Sequence, residues 1–110
     1  MSRSILIELA YDSIKEVLQA QNIIHREKML QKYPLLQESI PLKLNIYVNH
    51  ELFSSYESKN KNSLLEEIIF GAKKAAFKDK TAHPLKIREF LQSEIEIILQ
   101  TPQGVLSHRA

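Results

Sequence analysis

The sequence predicts an α+β fold, a small antiparallel sheet of about three strands with helices packed on one face. Two patterns lead to this prediction. Residues 42–48 and 94–100 alternate apolar and polar side chains with the period of half-buried strands, whereas residues 4–20 and 63–77 repeat apolar side chains at helical steps. The element order α, β, β, α, β lacks the βαβ rhythm of a parallel sheet, and 110 residues suit a single domain.

The first helix is expected over residues 4–20, because one of its faces is apolar. The side chains of that face recur three or four residues apart and are Leu6, Leu9, Ala10, Ile14, Val17 and Leu18. Ser4 can cap the N-terminus of this helix. Residues 24–33 predict a second, weaker helical piece, which Pro34 ends because the residue before a proline is pushed out of the helical region.

A hairpin is predicted next. In residues 42–48 four apolar side chains alternate with Lys43, Asn45 and Tyr47, which gives a strand with one buried face. Asn49 and His50 form the predicted turn, since Asn tolerates positive φ. Residues 51–56 then return as the second strand.

The strongest helix prediction covers residues 63–77. Ser63 and Glu66 have the spacing of a capping box. The apolar stripe of this helix consists of Leu65, Ile68, Ile69, Ala72, Ala75 and Ala76. Its small residues, Gly71 among them, would let it lie close against a sheet.

A short helical or irregular link over residues 86–91 leads to the last predicted strand, 94–100. Ile95, Ile97 and Leu99 are expected to point inward. Ile98 breaks the alternation, which predicts partial cover on the other face of the sheet. We expect residues 102–104 (Pro-Gln-Gly) to end this strand.

Composition narrows the functional classes. The chain has no cysteine, so disulfides, thiolate nucleophiles and cysteine zinc sites are excluded, as fits a reducing compartment. No stretch is apolar for the ~18 residues that a membrane-spanning helix needs, and we expect a cytoplasmic location. A net charge of +2 is too small to predict nucleic-acid binding. A local excess of lysine remains and comprises Lys59, Lys61, Lys73, Lys74, Lys78 and Lys80.

Four segments occur in a familiar order: ELFSSYE from Glu51, SLLEEIIFGAKKAAFKDKTA from Ser63, HPLK from His83 and SEIEIILQTP from Ser93. In this order they resemble the AMMECR domain family, the A component of the so-called AmmeMemoRadiSam systems. The best matches run from Ala75 to Asp79 and from Glu94 to Pro102. The first helix and the strand 42–48 also look like the corresponding elements of that family. The resemblance therefore implies one AMMECR-like domain over residues 1–110, shortened at its C-terminus.

The departures from the family pattern concern its signature. Where the family has Arg-Gly-Cys-Ile-Gly, this chain has a diverged segment of Phe53, Ser54, Ser55, Tyr56 and Glu57. Of the family's Asp-Pro-Arg-Phe element only Asp79 is present. The family domain continues with further strands and a helix after its last matching strand, and we expect none of them here. By analogy alone, the family's company of Memo-like and radical-SAM proteins implies a modification pathway.

A nucleophile would be the sharpest functional interpretation of the diverged segment. Ser54 or Ser55 could serve if His50 or His83 lay within hydrogen-bond reach as a base. No G-x-S-x-G elbow supports this interpretation, and polar residues at a strand end explain the serines better. Ser55, Asp79 and His83 are kept as weak catalytic candidates.

The sequence supports a metal or cofactor site less than it supports a nucleophile. The four histidines have neither an i, i+4 partner nor a cysteine companion, so we expect no metal site and no cofactor. Glu94 and Glu96 share one strand face, as paired catalytic carboxylates would, but a solvated sheet face looks the same. Lys59 and Lys61 precede a helix N-terminus and could bind an anion there, although solvated lysines explain the run more simply.

The sequence therefore favours a non-catalytic interaction or regulatory domain that self-associates, as a homodimer, or binds a protein partner. A small enzyme or cofactor-handling subunit with a residual pocket is the first alternative. A weak nucleic-acid-binding module is the second, and we expect neither nucleic acid nor a membrane as a partner.

Overall fold

A computed structural model describes residues 4–58, 62–78 and 83–110. Its elements are, in chain order, α1 (Ile5–Gln19), α2 (Arg26–Lys32), a 3-10 helix (Pro34–Gln37), β1 (Leu42–Val48), β2 (Glu51–Glu57), α3 (Leu64–Phe77), the short α4 (Ile87–Phe90), β3 (Ser93–Thr101) and β4 (Gly104–Arg109). The four strands form one antiparallel sheet in the order β2-β1-β3-β4. The predicted α+β class is confirmed.

The sheet has one strand more than the sequence led us to expect. β4 pairs along β3, from Glu96 opposite Arg109 to Thr101 opposite Gly104. Gly104 has a φ of +125°, which a glycine adopts without steric cost, and the Thr101 hydroxyl donates to its carbonyl at 2.7 Å. Residues 94–100 therefore lie in an interior strand and not at the edge, because the residues after the turn fold back onto them.

The predicted hairpin between β1 and β2 is present. Asn49 and His50 both have positive φ, 51° and 69°, as the tight turns that suit twisted strands require. The pairing shifts between Ile46 and Tyr47, whose partners are Ser54 and Leu52. Phe53 is therefore the extra residue of a β-bulge in β2, which the sequence pattern did not predict.

The two long helices start at the predicted caps. The Ser4 hydroxyl accepts from the Ile7 N–H at 3.2 Å, and the Ser63 hydroxyl accepts from the Glu66 N–H at 3.3 Å. α1 packs on β3 and β4, and α3 packs on β1 and β2, so both helices cover the same face of the sheet. We call this the inner face. No helix in the described part of the chain is both long and apolar enough to cross a membrane.

The core lies between the helices and the inner face. Six of the seven predicted inward side chains of the two interior strands are at most 3% exposed and are Leu42, Leu44, Ile46, Ile95, Ile97 and Leu99. The seventh, Val48 at the end of β1, is half-buried and packs against the core. The predicted stripe of α3 is buried against them throughout. Ile98 lies on the opposite face, which we call the outer face, where it is half-buried between Lys43 and Ser107 of the neighbouring strands.

A buried carboxylate ties α1 to α3. Glu16 accepts the Ile23 and Ile24 N–H groups at 2.8 and 2.9 Å and pairs with the Lys73 ammonium at 2.9 Å. Burial alone would raise the pKa of Glu16, but the two backbone hydrogen bonds and Lys73 outweigh it and leave the pKa lowered. Lys73, part of the lysine excess, is thus used within the fold.

Candidate functional site

The diverged segment of β2 divides its side chains between the two faces of the sheet. Ser54 pairs with Ile46 and Tyr56 with Leu44, so both lie on the inner face. Ser55 pairs with Asn45 on the outer face, where it is exposed, and Glu57 follows it there. The bulge at Phe53 separates this part of β2 from Glu51 and Leu52. The five side chains of this segment therefore do not converge on one point.

Tyr56 connects β2 to the first turns of α3. Its hydroxyl donates to Glu67 Oε2 at 2.7 Å, and the Asn62 amide donates to Glu67 Oε1 at 2.9 Å. Glu67 is only 5% exposed, so this carboxylate is buried but doubly hydrogen-bonded. Burial, followed by the hydrogen bond and the negative charge of Glu67, raises the pKa of Tyr56 to about 12. The phenol remains protonated and donates to the carboxylate throughout the physiological range.

Close packing holds the Tyr56 ring in place. The ring lies over Gly71, where an added Cβ would come within 2.8 Å of the ring Cε2 atom and closer still to Cδ2. Phe70 meets the ring edge-on with 5.7 Å between centroids, and Lys74 places its ammonium 5.9 and 5.7 Å from the two centroids. Phe70 is 54% exposed, and its contact with Tyr56 forms a small aromatic surface at this end of β2.

The outer face carries a second polar network, which crosses three strands. Glu96 Oε1 accepts from the Asn45 amide at 3.0 Å and from the Tyr47 hydroxyl at 2.9 Å. The hydrogen bond from Asn45 is the largest cause of a lowered pKa at Glu96, and the bond to Glu96 raises the pKa of Tyr47. Arg109 stacks 4.3 Å from the Tyr47 ring centroid and bonds Glu94 Oε2 at 3.0 Å.

This outer network is charged but nearly balanced. Glu94 pairs with Arg109, and Lys43 approaches Glu57 at 3.7 Å. Asn45 is 7% exposed, and its Oδ1 atom is a buried acceptor without a hydrogen-bond partner among the described residues. Glu94 and Glu96 do share a strand face, as predicted. Each is hydrogen-bonded to side chains of the same sheet, so the two carboxylates fix the side-chain arrangement of the outer face.

The catalytic candidates lie apart in the described structure. His83 contacts Phe53 edge-on at 5.2 Å, and Phe53 packs against the core on the inner side. The imidazole Nε2 of His83 also lies 2.9 and 2.8 Å from the two carboxylate oxygens of Glu89. Ser55 is on the outer face, and no hydrogen bond joins it to His83 among the described residues. Asp79 lies outside the described residues, as do Lys59 and Lys61.

The carboxylate that holds His83 has a second partner. Glu89 accepts the Lys86 backbone N–H at 3.0 Å at the start of α4. That bond, followed by the bond to His83, lowers the pKa of Glu89. In residues 4–58, 62–78 and 83–110, no three His, Asp or Glu side chains are placed to hold one metal ion.

Two shallow depressions lie near the ends of the sheet. One, of about 420 Å³, is lined by Asn49, His50, Leu91, Gln92, Ser93 and Glu94. The other, of about 310 Å³, is lined by Pro41, Leu42, Lys43, Glu57, Ser58, Ile98 and Gln100. Neither is lined by Ser55 or His83, and the first is lined by both His50 and Glu94.

The fourth strand forms one edge of the sheet. Because β4 pairs only with β3 in the sheet order, one side of it is an edge. Val105 and Leu106 are 59% and 54% exposed, on opposite faces of that edge. Sequence reasoning missed this surface, since its one signal was the glycine after Pro102.

Comparison with known proteins identifies the fold. No family model and no curated protein matches the chain. A solved structure of an uncharacterised protein of Pyrococcus horikoshii, PH0010, superposes on it with a TM-score of 0.76 at 23% sequence identity. The similarity covers 88% of this chain and 50% of that one, so this chain spans about half the length of the protein it resembles. At this identity the likeness shows the fold alone.

Proposed function

We propose that this chain is an AMMECR-like domain that works as a non-catalytic protein-interaction or regulatory module in the cytoplasm. It would associate through its sheet, with a second copy of itself or with a protein partner. The observation that carries the proposal is the exposed edge of β4, a row of backbone groups that a further strand can pair with.

The placement of the matching segments supports the AMMECR part of the proposal. Residues 75–77 (Ala-Ala-Phe) lie at the end of α3, where the small side chains are buried against the sheet. Residues 94–101 make up most of β3, whose inward side chains are core residues. The resemblance thus falls on positions that shape the fold, which is where a diverged relative retains its pattern.

The roles of the residues at the signature positions support the proposal that the module is non-catalytic. The residues at those positions are used for structure: Ser54 is buried, Phe53 forms the bulge and Tyr56 bonds Glu67. Two of the weak catalytic candidates, Ser55 and His83, are on different sides of β2. A catalytic dyad needs its two groups within hydrogen-bond reach, and this arrangement separates them.

Native mass spectrometry of the purified chain, combined with light scattering between about 1 and 100 µM, tests the proposal. We expect a species of twice 12.8 kDa whose fraction grows with concentration, without a bound small molecule. A co-purified cofactor would favour the enzyme alternative. A monomer at every concentration that also captures no protein from a cell extract would contradict the proposal.

A further inference from the structure

The direction of each backbone group in β4 follows from the hydrogen bonds at its end. Ile95 and Ala110 exchange both of their bonds, at 2.8 and 3.0 Å, so they are a hydrogen-bonded pair. Antiparallel pairs alternate between bonded and non-bonded. The register therefore makes His108, Leu106 and Gly104 the residues that bond β3.

The remaining residues of β4 direct their backbone outward. Val105, Ser107 and Arg109 turn their N–H and C=O groups away from β3, and among the described residues these groups have no backbone partner. We call this row the β4 edge. It is a regular pattern of three donors and three acceptors, which is what an added strand requires.

The two edges of the sheet differ in how well they are protected. The β2 edge has a bulge at Phe53 and a carboxylate at each end, Glu51 and Glu57. Bulges and charges are common ways of preventing strand addition. The β4 edge has an unbroken register with β3 and contains no proline, and its one permanently charged side chain, Arg109, is held on the outer face by Glu94 and Tyr47. Strand addition is therefore opposed at β2 and open at β4.

We propose that β4 pairs antiparallel with β4 of a second copy, with the twofold axis at Ser107. This inference rests on the self-association proposed above and specifies its surface. Opposed residues of an antiparallel pair must point to the same face, so the axis passes through a residue and not between two. The result is one continuous sheet of eight strands, with the helices of both copies on the same side.

Hydrogen-bond arithmetic selects the axis. With the axis at Ser107, the outward residues meet one another: Ser107 faces Ser107 of the partner subunit, and Val105 faces Arg109 of the partner subunit. All three outward residues are then used, which gives about six backbone bonds. An axis at Leu106 would use only Val105 and Ser107, for about four.

The side chains agree with the Ser107 register. It places no charge opposite a like charge, because Arg109 meets the apolar Val105 of the partner subunit. On the inner face it places Leu106, which is 54% exposed, opposite His108 of the partner subunit. The occupant that fits is a second copy, because the edge complements itself in backbone hydrogen bonding and brings no like charges opposite each other.

Single-cysteine cross-linking tests the register directly, since the chain contains no cysteine of its own. In a hydrogen-bonded pair the two Cα atoms lie about 5.5 Å apart, which is within the range that a disulfide spans. Under mild oxidation we expect Ser107→Cys to form a disulfide dimer at least tenfold faster than Ser55→Cys. Ser55 is a matched control, an exposed strand serine on the same face but on the β2 side.

A proline variant provides the second arm. The Ser107 N–H points outward, so Ser107→Pro removes no bond to β3 but blocks pairing with another strand. We expect its self-dissociation constant to rise at least tenfold in sedimentation, with an unchanged far-UV circular dichroism spectrum. If this variant does not fold, the cross-linking rates still decide.

The outcomes separate the two proposals. A dimer that cross-links through Ser55→Cys, or equally through both variants, would overturn the β4 pairing and leave self-association standing. Faster cross-linking of Leu106→Cys than of Ser107→Cys would overturn the assigned axis. A monomer up to 100 µM would overturn both the pairing and the self-association.

Discussion

A single added methyl group at Gly71 should measure how firmly the diverged segment is locked to α3. Gly71 lies within α3 and is buried beneath the Tyr56 ring. In an ordinary helix, replacing glycine with alanine stabilises by about 1 kcal/mol, because glycine loses more backbone entropy on folding. Here the new Cβ would come within 2.8 Å of the ring, closer than carbon atoms approach.

Two costs oppose that gain in Gly71→Ala. The Tyr56 ring must shift, and overpacking of this kind costs about 1–3 kcal/mol. A shifted ring also loses the 2.7 Å hydrogen bond to the buried Glu67 carboxylate, and a bond to a charged group contributes about 1.5–3 kcal/mol. After the helix gain is subtracted, we expect the free energy of unfolding to fall by about 1.5–5 kcal/mol.

Urea denaturation followed by circular dichroism provides the measurement, with a control in the Tyr56→Ala background. Without the ring the added methyl meets no clash, so Gly71→Ala should there stabilise by up to about 1 kcal/mol. The sign of the effect should therefore reverse between the two backgrounds, as a double-mutant cycle of touching residues reveals. Stabilisation by Gly71→Ala in both backgrounds would refute the proposed lock.

Three further results are expected. Ile95→Ala should lower the free energy of unfolding by ~2–5 kcal/mol, since Ile95 is fully buried, whereas Ser55→Ala should change it little because Ser55 is exposed. Equal losses in urea titrations would show that Ser55 is not an exposed residue. Because folding lowers the pKa of Glu16, this carboxylate contributes to the free energy of unfolding at pH values above its ordinary pKa of 4.5, and the contribution is lost as the pH falls through the folded pKa. Glu16→Gln should therefore flatten this part of the curve of stability against pH. In an absorbance titration at 295 nm one phenol should ionise near pH 12 and be absent from Tyr56→Phe; ionisation of every phenol near pH 10 would contradict the buried bond to Glu67.

The elements with strict periodicity could be predicted from the sequence. β1 and β3 each bury one set of alternating aliphatic side chains, so period 2 was visible. α1 and α3 combine an apolar stripe with a capping serine, and both caps are present. In these segments the local pattern and the tertiary environment require the same residues, which is why prediction succeeded there.

The edges of the sheet could not be predicted in the same way. β2 buries Ser54 and half-buries Tyr56, and its bulge interrupts the alternation. β4 has exposed apolar side chains on both faces, so no period marks it as a strand. Its pairing with β3 depends on the backbone turn at Gly104 and on the neighbouring strand. Edge strands carry little burial, and therefore little sequence signal.

The candidate site followed the same division. A glutamate in the first turn of a helix normally faces solvent, so Glu67 gave no sign of being buried. Its environment comes from Tyr56, which a hairpin brings across from another element. The outer network of Asn45, Tyr47 and Glu96 likewise depends on register between strands. Contacts between distant segments decide both networks, and single-sequence periodicity contains no information about them.

Self-pairing and partner binding would compete for the β4 edge. Each chain has one such edge, and a strand from another protein would need the same outward groups of Val105, Ser107 and Arg109. When the total protomer concentration is about fifty times the dimer Kd, mass action leaves only about a tenth of the edges free. A partner that binds only the free edge should then lose about tenfold in apparent affinity. A partner that binds the outer face would show no such dependence. The dependence of partner affinity on protomer concentration therefore distinguishes two kinds of dimer. In a regulatory dimer, self-pairing blocks the edge that the partner needs, whereas in the other the partner binds the outer face of the continuous sheet.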